Sequence, residues 1–177
     1  MKLYKTGYIV AIIDNYHKFS YRPWPLSDVE NDDVAEDLVA EGENKWFLMY
    51  DMLEISPDYN YVSRYNEYCK SIGINTCILM IESPYNYFDI QDNYVIDTVY
   101  GYDCIGVIGY SYLDNDRDVF EEKFKKSEIG LTKYGLFDSL ESFEKYVEMR
   151  GRYISAGNDL ENYWEMIPIR LSKGIRF

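Results

Sequence analysis

Residues 135–171 read GLFDSLESFEKYVEMRGRYISAGNDLENYWEMIPIRL, and this stretch gives the clearest indication of fold class in the chain. Apolar residues recur at helical spacing from Leu140 to Ile154, with charged residues between them, which predicts an amphipathic helix. Gly157 is expected to end that helix. Residues 164–171 then alternate in polarity and predict a strand. The stretch is therefore interpreted as one helix and the strand that it covers.

The start and the surface of this helix carry their own signals. Asp138 is expected to cap the first turn, with Glu141 three residues later completing a capping box. Glu141 with Lys145, and Glu148 with Arg152, are opposite charges four residues apart in the favourable order. These pairs predict a solvent-exposed outer face.

The rest of the chain predicts α+β architecture. Strands are expected at 2–14, 46–55, 76–82 and 104–113, and helices at 31–40, 56–72 and 118–126. Val34, Leu38 and Val39 are expected to face inward in the first of these helices, and Ser56 is expected to cap the second. Together with residues 135–171 this amounts to about five strands and about four helices in mixed order. We therefore expect residues 1–177 to form a single α+β domain, with the helices packed against a mixed or antiparallel sheet.

The charge of the chain is strongly negative and unevenly distributed. The sequence holds 31 acids and 18 Lys or Arg, for a net charge of −13. Residues 1–120 hold 21 acids and 8 bases and so carry the whole excess, whereas residues 121–177 hold 10 of each. Nucleic acid and anionic membranes are disfavoured as ligands because phosphate contacts need clustered cations. A basic protein partner is favoured electrostatically.

Length and cysteine usage indicate a cytoplasmic protein. The chain has 177 residues, enough for one domain with a substantial core. No apolar run approaches the roughly 18 residues of a membrane span, and the run from Ile9 to Ile13 is too short for a signal sequence. Cys69, Cys77 and Cys104 lack CxxC spacing, which favours reduced thiols over disulfides.

Motifs for catalysis, metals and cofactors are absent from the sequence. His17 is the single histidine; Asp14 is near it in the sequence, but no pattern places the two side chains together. Residues 114–118 read DNDRD, but Val119 and Lys125 stand where an EF-hand loop needs Gly and Glu. The glycines of residues 101–109 match neither a dinucleotide fingerprint nor a P-loop. We therefore predict no metal, no cofactor and no enzymatic activity.

Acidic residues interleaved with tyrosines are the pattern that rises above background. Residues 28–43 hold eight acids and no base, and residues 71–116 hold no Lys or Arg. Fixed carboxylates can imitate the charge spacing of a phosphate backbone, and tyrosine is enriched at interfaces. The alternative is that the tyrosines belong to the core. The predicted partner-binding residues are Asp32, Asp33, Glu36, Asp37, Glu41, Glu43, Tyr85, Tyr87, Asp89, Asp92, Tyr94 and Asp97.

These patterns predict a non-enzymatic, acidic inhibitor that occludes the nucleic-acid-binding surface of a basic partner protein. Immunity proteins that neutralise nuclease toxins are one setting for such a nucleic-acid mimic, and anti-defence proteins of phages or mobile elements are another. Two other classes remain open. One is a small enzyme with an unrecognised carboxylate site within residues 82–118. The other is a structural or assembly protein that forms a homo-oligomer through a tyrosine-rich face.

Overall fold

The computed structural model describes residues 2–13, 19–20, 32–49, 53–88, 90, 98–105, 122, 124–126, 128–155 and 167–173. Helices and strands alternate along these residues in mixed order, so the predicted α+β class is confirmed. The elements are β1 (Tyr4–Ile13), β2 (Phe19–Ser20), α1 (Asp33–Gly42), β3 (Phe47–Met49), β4 (Leu53–Ile55), α2 (Tyr59–Ser71), β5 (Thr76–Ser83), β6 (Val99–Ile105), α3 (Leu140–Ser155) and β7 (Ile167–Lys173). Residues 124–126 are also helical.

The main sheet has the strand order β2-β1-β5-β7-β6, and every neighbouring pair in it is antiparallel. The long β1–β5 pairing runs from Tyr4 opposite Ser83 to Ile12 opposite Thr76. Seven of the eight residues of β5 are buried, because this strand lies inside the sheet and both of its faces are covered. The nearly continuous apolar run of residues 76–82 predicted this placement.

Alternation along β1 divides the core between the two faces of the sheet. Tyr8 and Val10 pack with the buried side chains of α1 and α2 on one face. Ile9 and Ala11 pack with Leu79 and other apolar residues on the opposite face. Successive strand residues point to opposite sides, so a single strand contributes to both clusters.

A short backbone pairing extends the sheet beyond β6. Tyr102 and Phe137 exchange two backbone hydrogen bonds of 2.8 Å. Gly101, next to this pairing, has φ +147°, and an added Cβ there would lie 2.7 Å from the Leu136 Cβ. Phe137 then packs with Phe143 and other aromatic residues in a third cluster, which includes the inward face of α3.

The run of residues 46–55 forms a hairpin where the sequence pattern predicted one strand. β3 and β4 pair antiparallel, with Phe47 opposite Ile55. Ser56 then exchanges backbone hydrogen bonds of 2.8 and 2.9 Å with Tyr8 of β1. The run carries no Gly or Pro to mark a turn. The division of the run into two strands is instead set by the hydrogen bonds that its residues form with one another and with β1.

Two helices begin at caps other than those that the sequence pattern predicted. Asp58, not Ser56, caps α2, since its carboxylate accepts the Tyr61 N–H at 3.1 Å. At α3 the capping hydroxyl belongs to Ser139, which accepts the Ser142 N–H at 3.1 Å. Asp138 instead accepts the Ser142 hydroxyl at 2.7 Å. The prediction was wrong by one residue at α3 because Asp and Ser are both favourable caps.

The surface pair predicted on α3 is present. The Glu141 carboxylate lies 2.9 Å from the Lys145 ammonium, and this pair raises the pKa of Lys145. Because Ser139 is the cap, the third helical position falls to Ser142, and Glu141 is free to pair along the helix surface. The second predicted pair, Glu148 with Arg152, lies outside the side chains that the structure describes.

Candidate partner-binding surface

Helix α1 carries its acids on the side away from the core. Ala35, Leu38 and Gly42 are its buried residues and lie on one face at helical spacing. Four of the six predicted acids around this helix are exposed: Asp33, Glu36, Asp37 and Glu43. None of these four forms an ion pair with another residue that the structure describes. Asp33, Glu36, Asp37 and Glu43 therefore face solvent without a cationic partner among the described residues.

Helix α2 fixes the position of α1 through Tyr61. The Tyr61 hydroxyl donates to the Leu38 carbonyl at 2.8 Å and accepts from the Trp46 indole N–H at 3.0 Å. Gly42 lies directly against this hydroxyl. Burial raises the pKa of Tyr61 to about 12, so the hydroxyl remains a donor at neutral pH. The helix that carries the acids is thus held in one orientation.

Asp32 is committed to the fold and is not a free surface charge. Its carboxylate caps α1 by accepting the N–H groups of Val34 at 2.9 Å and Ala35 at 3.2 Å. The Tyr68 hydroxyl nearby, together with those backbone bonds, lowers the pKa of Asp32. The same carboxylate raises the pKa of Tyr68 to about 12. Asp32 therefore holds the start of α1.

Glu41 is the second acid of the predicted cluster that has an internal partner. Both of its oxygens accept hydrogen bonds from Arg64 of α2, at 2.6 and 2.8 Å. A similar pair joins Lys45 to Asp58 at 2.6 Å. These links lie along the boundary between the two helices. The acidic face of α1 is consequently bordered by cations on the α2 side.

Two of the three predicted tyrosines, Tyr85 and Tyr87, lie in the loop that follows β5. Tyr85 and Tyr87 are 42% and 44% exposed, and their ring centroids are 6.2 Å apart. The loop is anchored by Ser83, whose hydroxyl accepts the Tyr85 N–H at 3.2 Å and lies 2.9 Å from the Thr6 hydroxyl. The remaining predicted residues of this segment, Asp89, Asp92, Tyr94 and Asp97, lie outside the described residues.

The β3–β4 hairpin lies between α1 and the loop that carries Tyr85 and Tyr87. Trp46 packs in the cluster on the α1 and α2 face, while its neighbour Phe47 contacts Phe88 with ring centroids 5.0 Å apart. Phe88 itself packs against the cluster on the opposite face of the sheet. The two predicted segments are therefore brought to the same hairpin but pack against opposite faces.

Four other acids and tyrosines of residues 71–116, the segment without Lys or Arg, lie in the core or pack against it. Glu82 and Asp103 are 4% and 1% exposed. Tyr100 stacks edge-on against Tyr134 at 4.8 Å, and Tyr102 packs with the third cluster. The core interpretation therefore holds for these residues, whereas Tyr85 and Tyr87 face solvent. Alternation along residues 99–105 could have identified Tyr100 and Tyr102 as core residues only if the bulge near Gly101 were known.

Sequence reasoning missed three residues that shape this surface. Arg64 and Tyr61 hold α1 in place, but their partners are 23 residues away along the chain. Phe47 is 42% exposed although it lies in an apolar run that predicted a strand. No local sequence signal identifies such long-range partners. The i,i+3 and i,i+7 spacing of Tyr61, Arg64 and Tyr68 on one helix is the nearest available hint.

The described residues offer little reactive chemistry. Cys69 and Cys77 are free thiols, and burial raises their pKa to about 11 and about 12 respectively. They are therefore protonated and weakly nucleophilic at neutral pH. No group of three or more His, Cys, Asp or Glu in the described residues could hold a metal ion. His17 and residues 114–118 lie outside that part of the chain.

Two further findings bear on identity. Among the described helices, none combines the length and the apolar character that crossing a membrane requires. Comparison of the chain with protein-family models, curated proteins and solved structures finds no match in any of the three. Function is therefore argued from the surface itself.

Proposed function

We propose that this chain is a non-enzymatic, acidic interaction protein that binds a basic partner and occludes the partner's nucleic-acid-binding surface. The observation that carries the proposal is the solvent face of α1, where Asp33, Glu36, Asp37 and Glu43 are exposed without ion pairs among the described residues. An immunity protein against a nuclease toxin and an anti-defence protein of a phage or mobile element are the two settings that this chemistry suits.

The spacing of these carboxylates supports the proposal. Asp33 and Glu43 are ten residues apart, which is about 15 Å along a helix axis. The three intervals between these four carboxylates average about 5 Å along the axis, compared with one phosphate per roughly 3.4 Å of axis for a single DNA strand. A cleft that holds a phosphate backbone would therefore meet a series of negative charges on α1, more widely spaced than phosphates.

The shape and rigidity of the α1 surface also favour a protein that occludes a partner over an enzyme. A helix face is convex, so these carboxylates diverge into solvent instead of converging on a substrate. The links from Tyr61 to Leu38 and from Arg64 to Glu41 hold the helix before any partner arrives. Preorganisation of this kind reduces the entropy that binding costs. Steering by the net charge of −13 would raise the association rate at low salt.

The test compares two triple variants in capture experiments. Immobilised wild-type chain is incubated with lysate of the native host at low and high salt, and any captured nucleic-acid-binding protein is purified for binding kinetics. The variant D33N/E36Q/D37N removes three exposed charges from α1. The control E122Q/E128Q/E144Q removes three exposed charges from the neutral third of the chain. Only the α1 variant is expected to slow association with the purified partner, and duplex DNA should displace the partner from the wild-type chain.

Two results would overturn the proposal. One is an association rate at low salt that the α1 variant leaves unchanged. The other is a partner that binds duplex DNA and this chain at the same time, because an occluding protein must compete with nucleic acid. Thermal unfolding of both triple variants, monitored by circular dichroism, checks that lost binding does not reflect lost folding.

The exposed aromatic residues support a second candidate, an assembly protein that self-associates. Phe47, Tyr85 and Tyr87 are each more than 40% exposed, and large aromatic side chains are enriched in interfaces. Light scattering during size-exclusion chromatography distinguishes this candidate. A dimer or larger species that the Y85S/Y87S variant dissociates would favour assembly, and a monomer at all tested concentrations would exclude it.

A further inference from the structure

We infer that α1 is a separately opening unit, held on α2 by a polar latch centred on Tyr61, and that it opens without unfolding the sheet. The inference concerns only the conformational behaviour of the chain and does not rest on the proposed function. It starts from the contrast between how much of α1 is buried and how α1 is attached.

Helix α1 has a small apolar contact with the rest of the fold. Of its ten residues, only Ala35, Leu38 and Gly42 are buried, and Gly42 contributes no side chain. Strand β5, in contrast, has seven buried residues of eight and pairs with a strand on each side. Hydrophobic stabilisation scales with the apolar area removed from water, so α1 is attached far more weakly than β5. Elements with few buried apolar contacts open first.

Two polar links compensate for this small contact, and both run to α2. The Tyr61 hydroxyl donates to the Leu38 carbonyl, and Arg64 holds the Glu41 carboxylate with two hydrogen bonds.

Tyr61 is the centre of this latch because its hydroxyl is buried and both donates and accepts a hydrogen bond. It donates to Leu38 and accepts from the Trp46 indole, and Gly42 leaves the space that the hydroxyl occupies. The Arg64–Glu41 pair, in contrast, is exposed to water and contributes little. Opening would free the α1 carboxylates from their fixed spacing while Trp46 stays packed with Tyr65 at 5.8 Å.

Native-state hydrogen exchange, measured by mass spectrometry at increasing guanidinium concentrations below the unfolding midpoint, tests the inference. Peptides covering residues 36–42 are expected to exchange faster than peptides covering residues 77–82, and with a weaker dependence on denaturant, because a small opening exposes little surface. The Y61F variant should accelerate exchange of the α1 peptides about fivefold to tenfold, since it removes one buried hydrogen bond from the closed state.

The variant S139A provides the control. Ser139 caps α3, so its loss lowers the stability of the whole fold but affects the closed and open forms of α1 equally. It should therefore accelerate exchange in β5 and leave the α1 peptides unchanged. Acceleration of α1 and β5 by the same factor in S139A would overturn the inference, because α1 would then open only with global unfolding. A Y61F protein whose α1 peptides exchange at the wild-type rate would exclude Tyr61 as the latch.

Discussion

Gly42 and Tyr61 are in such close contact that a methyl group on Gly42 would lie 2.5 Å from the Tyr61 hydroxyl. The same methyl would lie 2.9 Å from Cδ1 of Trp46. Neither neighbour can withdraw freely, because the hydroxyl bonds the Leu38 carbonyl and the indole N–H bonds the hydroxyl. The packing of α1 on α2 therefore requires a residue without a side chain at this position.

Replacement of Gly42 by Ala should destabilise the protein by about 1–3 kcal/mol, because overpacking forces the buried Tyr61 and Trp46 to shift. Helix propensity alone would predict the opposite sign, a gain of up to about 1 kcal/mol. Urea unfolding followed by circular dichroism measures the difference. Ala40→Gly, an exposed site of the same helix, serves as the propensity control and should cost about 1 kcal/mol. A G42A protein more stable than wild type would contradict the described contact.

Capping of α3 gives a second prediction. Ser139→Ala removes the hydroxyl that accepts the Ser142 N–H and should cost about 1 kcal/mol of unfolding free energy. Glu141→Ala removes only an exposed ion pair with Lys145 and should cost at most about 0.5 kcal/mol. Chemical denaturation of both variants under identical conditions checks the order. The reverse order would support the capping box that the sequence pattern predicted.

The two described thiols should be unreactive in the folded protein. Burial raises the pKa of Cys69 to about 11 and that of Cys77 to about 12, so the thiolate is scarce at pH 8. The Cys104→Ser variant retains only these two cysteines, since the chain has 3. Its titration with an aromatic disulfide at pH 8 should be slow under native conditions and immediate in 6 M guanidinium, about the concentration that unfolds most small domains. Fast native labelling would show that these side chains are accessible.

The Lys45–Asp58 pair predicts a pH dependence with a definite sign. A hydrogen bond from Lys45 lowers the pKa of Asp58 below the usual value of 3.8. A carboxylate with a lowered pKa in the fold contributes stability that is present above the unfolded pKa and is lost as the pH falls through the folded pKa. Asp58→Asn keeps a capping oxygen but removes the charge. It should cost up to about 1 kcal/mol at pH 7, and this difference should shrink as the pH falls below 3.8 through the lowered pKa of the folded state.

Glu67→Gln is the matched control for Asp58→Asn, because Glu67 is an exposed carboxylate of the same helix. Its effect on unfolding free energy should stay within about 0.5 kcal/mol across the pH range. Urea midpoints of both variants and the wild type, taken at intervals from pH 2.5 to pH 7, provide the comparison, with the lower limit set roughly one unit below the unfolded pKa. A constant difference between D58N and the wild type at all pH values would show that the ion pair does not contribute.

The residues around α1 show which features of the candidate surface could be predicted from the sequence. The run of acids around α1 predicted a helix whose outer side is negative, and Asp33, Glu36, Asp37 and Glu43 do lie exposed. Val34 was expected to face inward and is 54% exposed, whereas Ala35 is buried. Small shifts in helix phase of this kind cannot be resolved from ten residues that hold few large apolar side chains. The internal role of Glu41 depends on Arg64 in α2 and left no local signal.

The sequence by itself determined the α+β class, the central position of β5 and the concentration of negative charge before residue 120. These features follow from composition and from periodicity within single elements, which depend only on neighbours along the chain. Only the tertiary structure decided which acids remain uncompensated and which tyrosines face solvent. It also placed Tyr61 against Gly42 and divided residues 46–55 into a hairpin. These outcomes depend on contacts between segments far apart in sequence, whose geometry no local pattern encodes.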